Sequence, residues 1–259
     1  MKIELLKGRE ANKYFAPDVE YLYHYTSIEA LINGIVVKNP NDGEELCLRA
    51  THNKYMNDPK EFEVGVDMLK NISLGLENYG VDVKKILDIL DGYKDNFYFA
   101  CFSEDGDSLP MWNMYANNGH GVALKFERFE QECNNEWIVQ CEYGTKNTIS
   151  NFREFLEKDI DVAISYLLLF PFIQKDLAYS HEKETRFVGS LKDVETHYRY
   201  RDGMAIPYKN VFIDKSLLKS IVIGPSANKK NVEYSLRKFL DDKGLGHVKI
   251  EHSQIPYRS

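Results

Sequence analysis

The chain has 259 residues, of which 43% are hydrophobic and 13% aromatic, with 17 Tyr and 14 Phe. That is too apolar for a disordered chain and fits one large domain or two small ones. Lys and Arg number 33 against 40 Asp and Glu, a formal charge of −7. An indiscriminate grip on duplex nucleic acid calls for a net basic domain, so only a locally basic groove stays open.

In chain order, Met1–Glu10 lacks an apolar core, so no secretory signal is expected. Tyr21–Tyr25 is expected as a short aromatic strand. Thr26 or Ser27 caps a short helix through Ile28, Ala30, Leu31 and Ile32, which Gly34 closes. Leu46–Thr51 reads as a strand. Asn57-Asp58-Pro59 opens a helix carrying Phe62, Val66 and Leu69, and a second helix covers about Val83–Leu90. Asn96–Ser103 is the clearest strand. After an Asp- and Gly-rich loop, Ser108 caps a helix through Pro110, Met111, Trp112 and Tyr115. Gly121–Phe126 and Trp137–Tyr143 are strands, and Asn151–Phe170 is one long helix. Thr185–Val188, Met204–Pro207 and Ser220–Gly224 are strands. An amphipathic helix Asn228–Leu240, ended by Gly244, leads to a last strand His247–His252, a parallel crossover.

The chain shows no repeat and no Pro/Ser-rich linker, which favours one domain of α+β or α/β class. Its longest apolar run, Tyr166–Ile173, is far short of the roughly 20 residues that cross a bilayer. The four cysteines, Cys47, Cys101, Cys133 and Cys141, form no CxxC pair, and the seven histidines form no HExxH. Reduced thiols in the cytoplasm are expected, without a zinc site.

Four segments carry chemistry-bearing side chains. In Leu22-Tyr23-His24-Tyr25-Thr26-Ser27 an imidazole sits inside an aromatic strand; it is either a ligand contact or a core histidine bonded to a carbonyl. Tyr98, Trp112 and Tyr115 either wall a flat-ring pocket or pack as the apolar face of a helix and strand. Glu182, Glu184 and Arg186 stand at i, i+2 and i+4, on one face of an extended chain. They suit a site where positive charge develops, or form a surface ion-pair row. The tail Glu251–Arg258 is expected to dock, with Arg258 open to ligand contact. Ile223-Gly224-Pro225-Ser226 is a phosphate-receiving turn or a plain one.

Read together, the blocks LYHYTS, CFS, MWxxYA followed by GVxLxF, ExExR and SxIPYR run in order from residue 22 to 258. This pattern resembles a bacterial family known as domain of unknown function 2971. The departure is Tyr179, where that pattern has Trp. More distantly, His24-Tyr25-Thr26-Ser27 with Leu31 and Gly34-Ile35 is similar to the NAD-binding start of ADP-ribosyltransferases of the diphtheria-toxin and poly-ADP-ribose-polymerase type. The segment Phe97–Ala100 with the following helix and Gly121–Leu124 resembles their second block. The resemblance implies an α+β single domain, an ADP-ribosyltransferase-like split β core with helical insertions at about residues 59–93 and 150–177. It implies NAD as substrate and no metal. It places the His-Tyr-Glu set on His24, Tyr98 and either Glu182 or Glu184. Glu184 is taken as the charge stabiliser, expected to be the better buried of the two, and Glu182 as the group that orients ribose or acceptor. Tyr25, Thr26, Ser27, Ser103, Trp112, Tyr115 and Arg186 complete the implied NAD-binding set. Here His24 is not followed by Gly, and the glutamates stand in an ExExR context.

The leading expectation is an NAD-dependent ADP-ribosyltransferase or NAD glycohydrolase, with toxin or phage-defence roles by family analogy and an acceptor that is protein, nucleic acid or water. A catalytically silent nucleotide- or nucleic-acid-binding module on the same scaffold is the alternative. A Mg²⁺ nuclease built on Glu182 and Glu184 is the third reading.

Overall fold

A computed structural model of the chain describes residues 13–39, 43–56, 61–129, 136–144, 148–191, 193–226 and 228–256. The strands are β1 (Tyr21–Thr26), β2 (Val36–Asn39), β3 (Gly43–His52), β4 (Phe97–Ser103), β5 (Val122–Glu127), β6 (Glu136–Gln140) and β7 (Glu142–Tyr143). They continue with β8 (Gln174–Lys175), β9 (Glu184–Ser190), β10 (His197–Arg201), β11 (Met204–Ile213), β12 (Leu218–Ile223) and β13 (Lys249–His252). Eleven of them form one sheet in the order β10-β11-β3-β4-β1-β5-β12-β13, with β2 added to β3, β9 to β4 and β6 to β9. Its pairs are antiparallel except β12 with β13, the strands joined through the helix Lys229–Asp242. The fold is thus mixed α and β, dominated by a largely antiparallel sheet.

Apolar residues alternate along β4 and send successive side chains to two cores. Phe97 and Phe99 pack with Trp137, Val139 and Val188 under the helices Glu61–Asn71, Val83–Tyr93, Thr148–Lys158 and Ile160–Ile173. Tyr98, Ala100 and Phe102 face the opposite core, where Leu236 and Leu240 of the helix Lys229–Asp242 cover β5 and β12. The helices expected at about 59–93 and 150–177 therefore make the layer on one face of the sheet. Among the described residues no helix is long and apolar enough to cross a membrane.

Strand β4 is where the sheet divides. One edge pairs with β9 along its whole length, Phe97 opposite Ser190 through Ser103 opposite Glu184. The other edge is shared. Strand β3 meets it at Phe99 and Tyr98, while β1 meets it at Ser103. Between these contacts β1 and β3 part, and a cleft opens beside Ala100 and Cys101.

Several boundaries differ from expectation. The long helix is two, Thr148–Lys158 and Ile160–Ile173, because the Asp159 side chain accepts from Asp161 N at 2.7 Å and caps the second. The expected strand 137–143 breaks at Cys141, whose N–H turns to the Glu184 carbonyl at 2.9 Å. Leu31–Ile35 is a π-turn rather than a helix end, and β11 runs on to Ile213. Asn57-Asp58-Pro59, Cys133 and Arg258 lie outside the described residues.

Candidate active site

The loop and strand around Glu182 and Glu184 converge on a buried lysine. Lys175, on β8 at the end of the apolar helix Ile160–Ile173, places Nζ 2.5 Å from Glu182 Oε2 and 2.5 Å from Glu184 Oε2. Arg186 donates from Nε to Glu184 Oε1 at 2.8 Å and from Nη2 to Oε2 at 3.1 Å, and its Nη1 donates to Phe172 O at 2.5 Å. The Tyr115 hydroxyl donates to Glu182 Oε1 at 2.6 Å. All four charged side chains are buried. Among the described residues, two carboxylates thus face one ammonium and one guanidinium. Burial alone pushes the Glu184 carboxyl up, but Arg186 and Lys175 outweigh it and hold it at about 2.

Backbone geometry explains how both glutamates reach one point. Glu184 and Arg186 share a face of β9, opposite Ser103 and Cys101 of β4. Glu182 is not on that strand, contrary to the extended run expected over 182–186. It ends a 3₁₀ turn, Leu177–Glu182, and Lys183 takes a left-handed conformation, φ 42°, that swings the chain into β9. Ser103 Oγ donates to the Glu182 carbonyl at 2.7 Å and fixes the turn. Glu184 N donates to the Tyr143 hydroxyl at 2.7 Å. The two glutamates are equally buried, at 3% and 4% exposure, so the expectation that Glu184 lies deeper is corrected.

His24 stands on β1 where the strands part. Its Nδ1 lies 2.9 Å from Cys101 O, and a carbonyl only accepts, so Nδ1 carries the proton. Burial lowers the imidazole pKa, and the nearby Arg199 charge lowers it further. The ring is therefore neutral at pH 7 and keeps Nε2 as an acceptor.

Two adjoining cavities meet at His24, Met56, Cys101 and Tyr115. The first holds Tyr23, Tyr25, Ser103, Lys175, Tyr179, Glu182, Glu184 and Arg186 in its wall. Lys175 Nζ lies 5.2 Å from the centre of the Tyr179 ring, which covers the ammonium with an aromatic face. The second cavity is lined by Thr26, Arg49, Thr51, Tyr55, Arg199 and Arg201.

Of the expected site residues, His24, Tyr25, Thr26, Ser103, Tyr115, Glu182, Glu184 and Arg186 line this joint cleft. Three do not. Tyr98 packs edge-on to His52 at 5.2 Å with Lys209 over its ring, inside the core. Trp112 is fully buried, stacks edge-on to Tyr25 at 4.8 Å and donates Nε1 to Asp107 at 2.8 Å. Ser27 caps its own short helix by accepting from Ala30 N. The docked tail is held to the same loop, with Ser253 Oγ and Gln254 N donating to Asp107. Sequence reasoning gave no role to Lys175 or to the three arginines. A lysine directly after an apolar helix and two carboxylates downstream were the only signals for Lys175.

No curated protein and no solved structure matches this chain. Residues 111–187 match the family model described as "Protein of unknown function (DUF2971)". This segment runs from Met111 to Phe187 and carries Tyr115, Lys175, Glu182, Glu184 and Arg186. The MWxxYA, GVxLxF and ExExR blocks lie within this stretch, and through it the chain is similar to the domain-of-unknown-function 2971 family.

Proposed function

We propose that the chain is an NAD-dependent ADP-ribosyltransferase or NAD glycohydrolase working in the cleft between β1 and β3. The observation that carries this reading is Glu182: a buried carboxylate fixed by Tyr115 and Lys175, in the wall of a cavity that it shares with neutral His24. Breaking the bond between nicotinamide and ribose sends the electron pair to the nicotinamide nitrogen and leaves oxocarbenium charge on the ribose. A pre-oriented carboxylate stabilises that charge. Water or another nucleophile then closes the ribose carbon and loses its proton.

Roles follow from the hydrogen bonds. Both oxygens of Glu184 are taken by Arg186 and Lys175, so its charge is compensated and it anchors the group. Among the described residues Glu182 accepts from one cation and one neutral hydroxyl. We therefore assign the stabilising charge to Glu182, with His24 Nε2 accepting from a ribose hydroxyl. The full pairing of Glu184 is also what a silent binding module would show, and turnover separates the two. A Mg²⁺ nuclease fits poorly: Lys175 Nζ already sits between the carboxylates, and among the described residues no group of three or more acidic, His or Cys side chains is placed to hold a metal ion. The test is to incubate the chain with NAD and follow nicotinamide. Release above the spontaneous rate supports an enzyme; NAD binding with no release across water, protein and nucleic-acid acceptors leaves the module.

A further inference from the structure

We propose that Arg49, Arg199 and Arg201 form a subsite for the diphosphate of a nucleoside diphosphate group, at the end of the cleft away from Glu182. This deepens the reading above and rests on it for the identity of the whole ligand. Arg49 shares a face of β3 with Thr51, and Arg199 and Arg201 share a face of the edge strand β10. All three line the second cavity. Arg199 Nη2 donates to Thr51 Oγ1 at 2.9 Å and Arg201 Nη2 to Tyr55 O at 2.7 Å, while Arg49 lies 5.2 Å over the Tyr208 ring. None of these partners is an acid, and no described carboxylate pairs with any of the three. Arg199 Nε is buried without a hydrogen-bond partner.

Three guanidinium groups close enough to repel one another gain most from an anion with several oxygens. Burial, then the charges of Arg201 and Arg49, push the Arg199 pKa down, the direction expected of a cluster lacking its counter-charge. Guanidinium forks match phosphate oxygens two at a time. Gly34 makes room for the cluster: a Cβ there would sit 2.8 Å from Arg49 Nη2. The position within a walled cleft shared with His24, on a chain of charge −7, favours a nucleotide over a nucleic-acid strand.

The experiment is calorimetric titration of the full chain with ADP, with adenosine and a single-stranded oligonucleotide as comparisons. ADP should bind more tightly than adenosine and lose affinity with added salt. Arg199→Gln and Arg49→Gln should each weaken ADP by about tenfold or more and leave adenosine unchanged. Should Arg199→Gln fail to fold, Arg201→Gln, on the partly exposed edge strand, carries the same readout. Equal ADP affinity in folded variants, ADP no tighter than adenosine, or an oligonucleotide that outcompetes ADP would each overturn the proposal. Arginine-dependent ADP binding without nicotinamide release would keep this subsite and remove the transferase reading. Nicotinamide release with arginine-independent ADP binding would do the reverse.

Discussion

Glu182 and Glu184 meet the same ammonium but differ in what else holds them, and that difference is testable. Glu184→Gln removes the carboxylate that accepts from Arg186 Nε and Nη2 and from Lys175 Nζ. Removing one partner of a buried pair typically costs about 3–5 kcal/mol. Thermal melts of Glu184→Gln should therefore fall well below wild type, whereas Glu182→Gln leaves Lys175 and Arg186 both paired to Glu184 and should melt closer to it. The pH dependence has a definite sign. The folded-state pKa of Glu184 lies at about 2, below the ordinary 4.5. Its contribution is complete above the ordinary value and is lost as pH falls towards 2. Between pH 5 and pH 2 wild type should lose roughly 3 kcal/mol that Glu184→Gln does not lose. Parallel acid curves for the two proteins would show that the pair is weaker than its geometry indicates.

At the level of elements, the helices Glu61–Asn71 and Ile160–Ile173 approach so closely at Gly65 that an added Cβ would lie 2.6 Å from Pro171 Cα. Backbone cannot move aside as a side-chain tip can. Gly65→Ala should destabilise by about 1–3 kcal/mol through overpacking, although alanine is the better helix former. A denaturant midpoint at or above wild type would refute that contact. The strands legible in the sequence were those with dense apolar alternation, such as β4, and those bounded by clear turn residues. Strand β10 was missed because His197-Tyr198-Arg199-Tyr200-Arg201 holds no aliphatic residue and its tyrosines face out, exposed. Yet Asp202-Gly203, with φ of 51° and 81°, is a two-residue hairpin turn whose signal was in the sequence. The same oversight hid two of the three arginines. The break at Asp159 was hidden because apolar residues continue on both sides of it, and only its capping ability marks the boundary.

The molecule as a whole gathers its candidate chemistry from distant segments, His24 and Glu182 standing 158 residues apart, because β4 serves two partners on one edge. No local pattern announces that division. Sequence blocks indicated which segments matter, and His24, Tyr115 and the two glutamates do line one cleft. Tyr98 and Trp112 read equally well as core, which is where they lie, since aromatic periodicity on a strand or helix does not say which face a ligand takes. Lys175 was invisible because its importance comes from pairing across β7–β8 and the turn, not from spacing. On the proposed reading, Glu182 stabilises charge on a ribose in this cleft. The direct measurement is nicotinamide release from NAD by wild type and Glu182→Gln at equal, saturating occupancy. Wild type should release nicotinamide measurably and the variant should lose about 10²–10³ in rate, with NAD affinity little changed. A folded Glu182→Gln protein that releases nicotinamide at the wild-type rate, or a wild type that binds NAD and releases none, would contradict that reading.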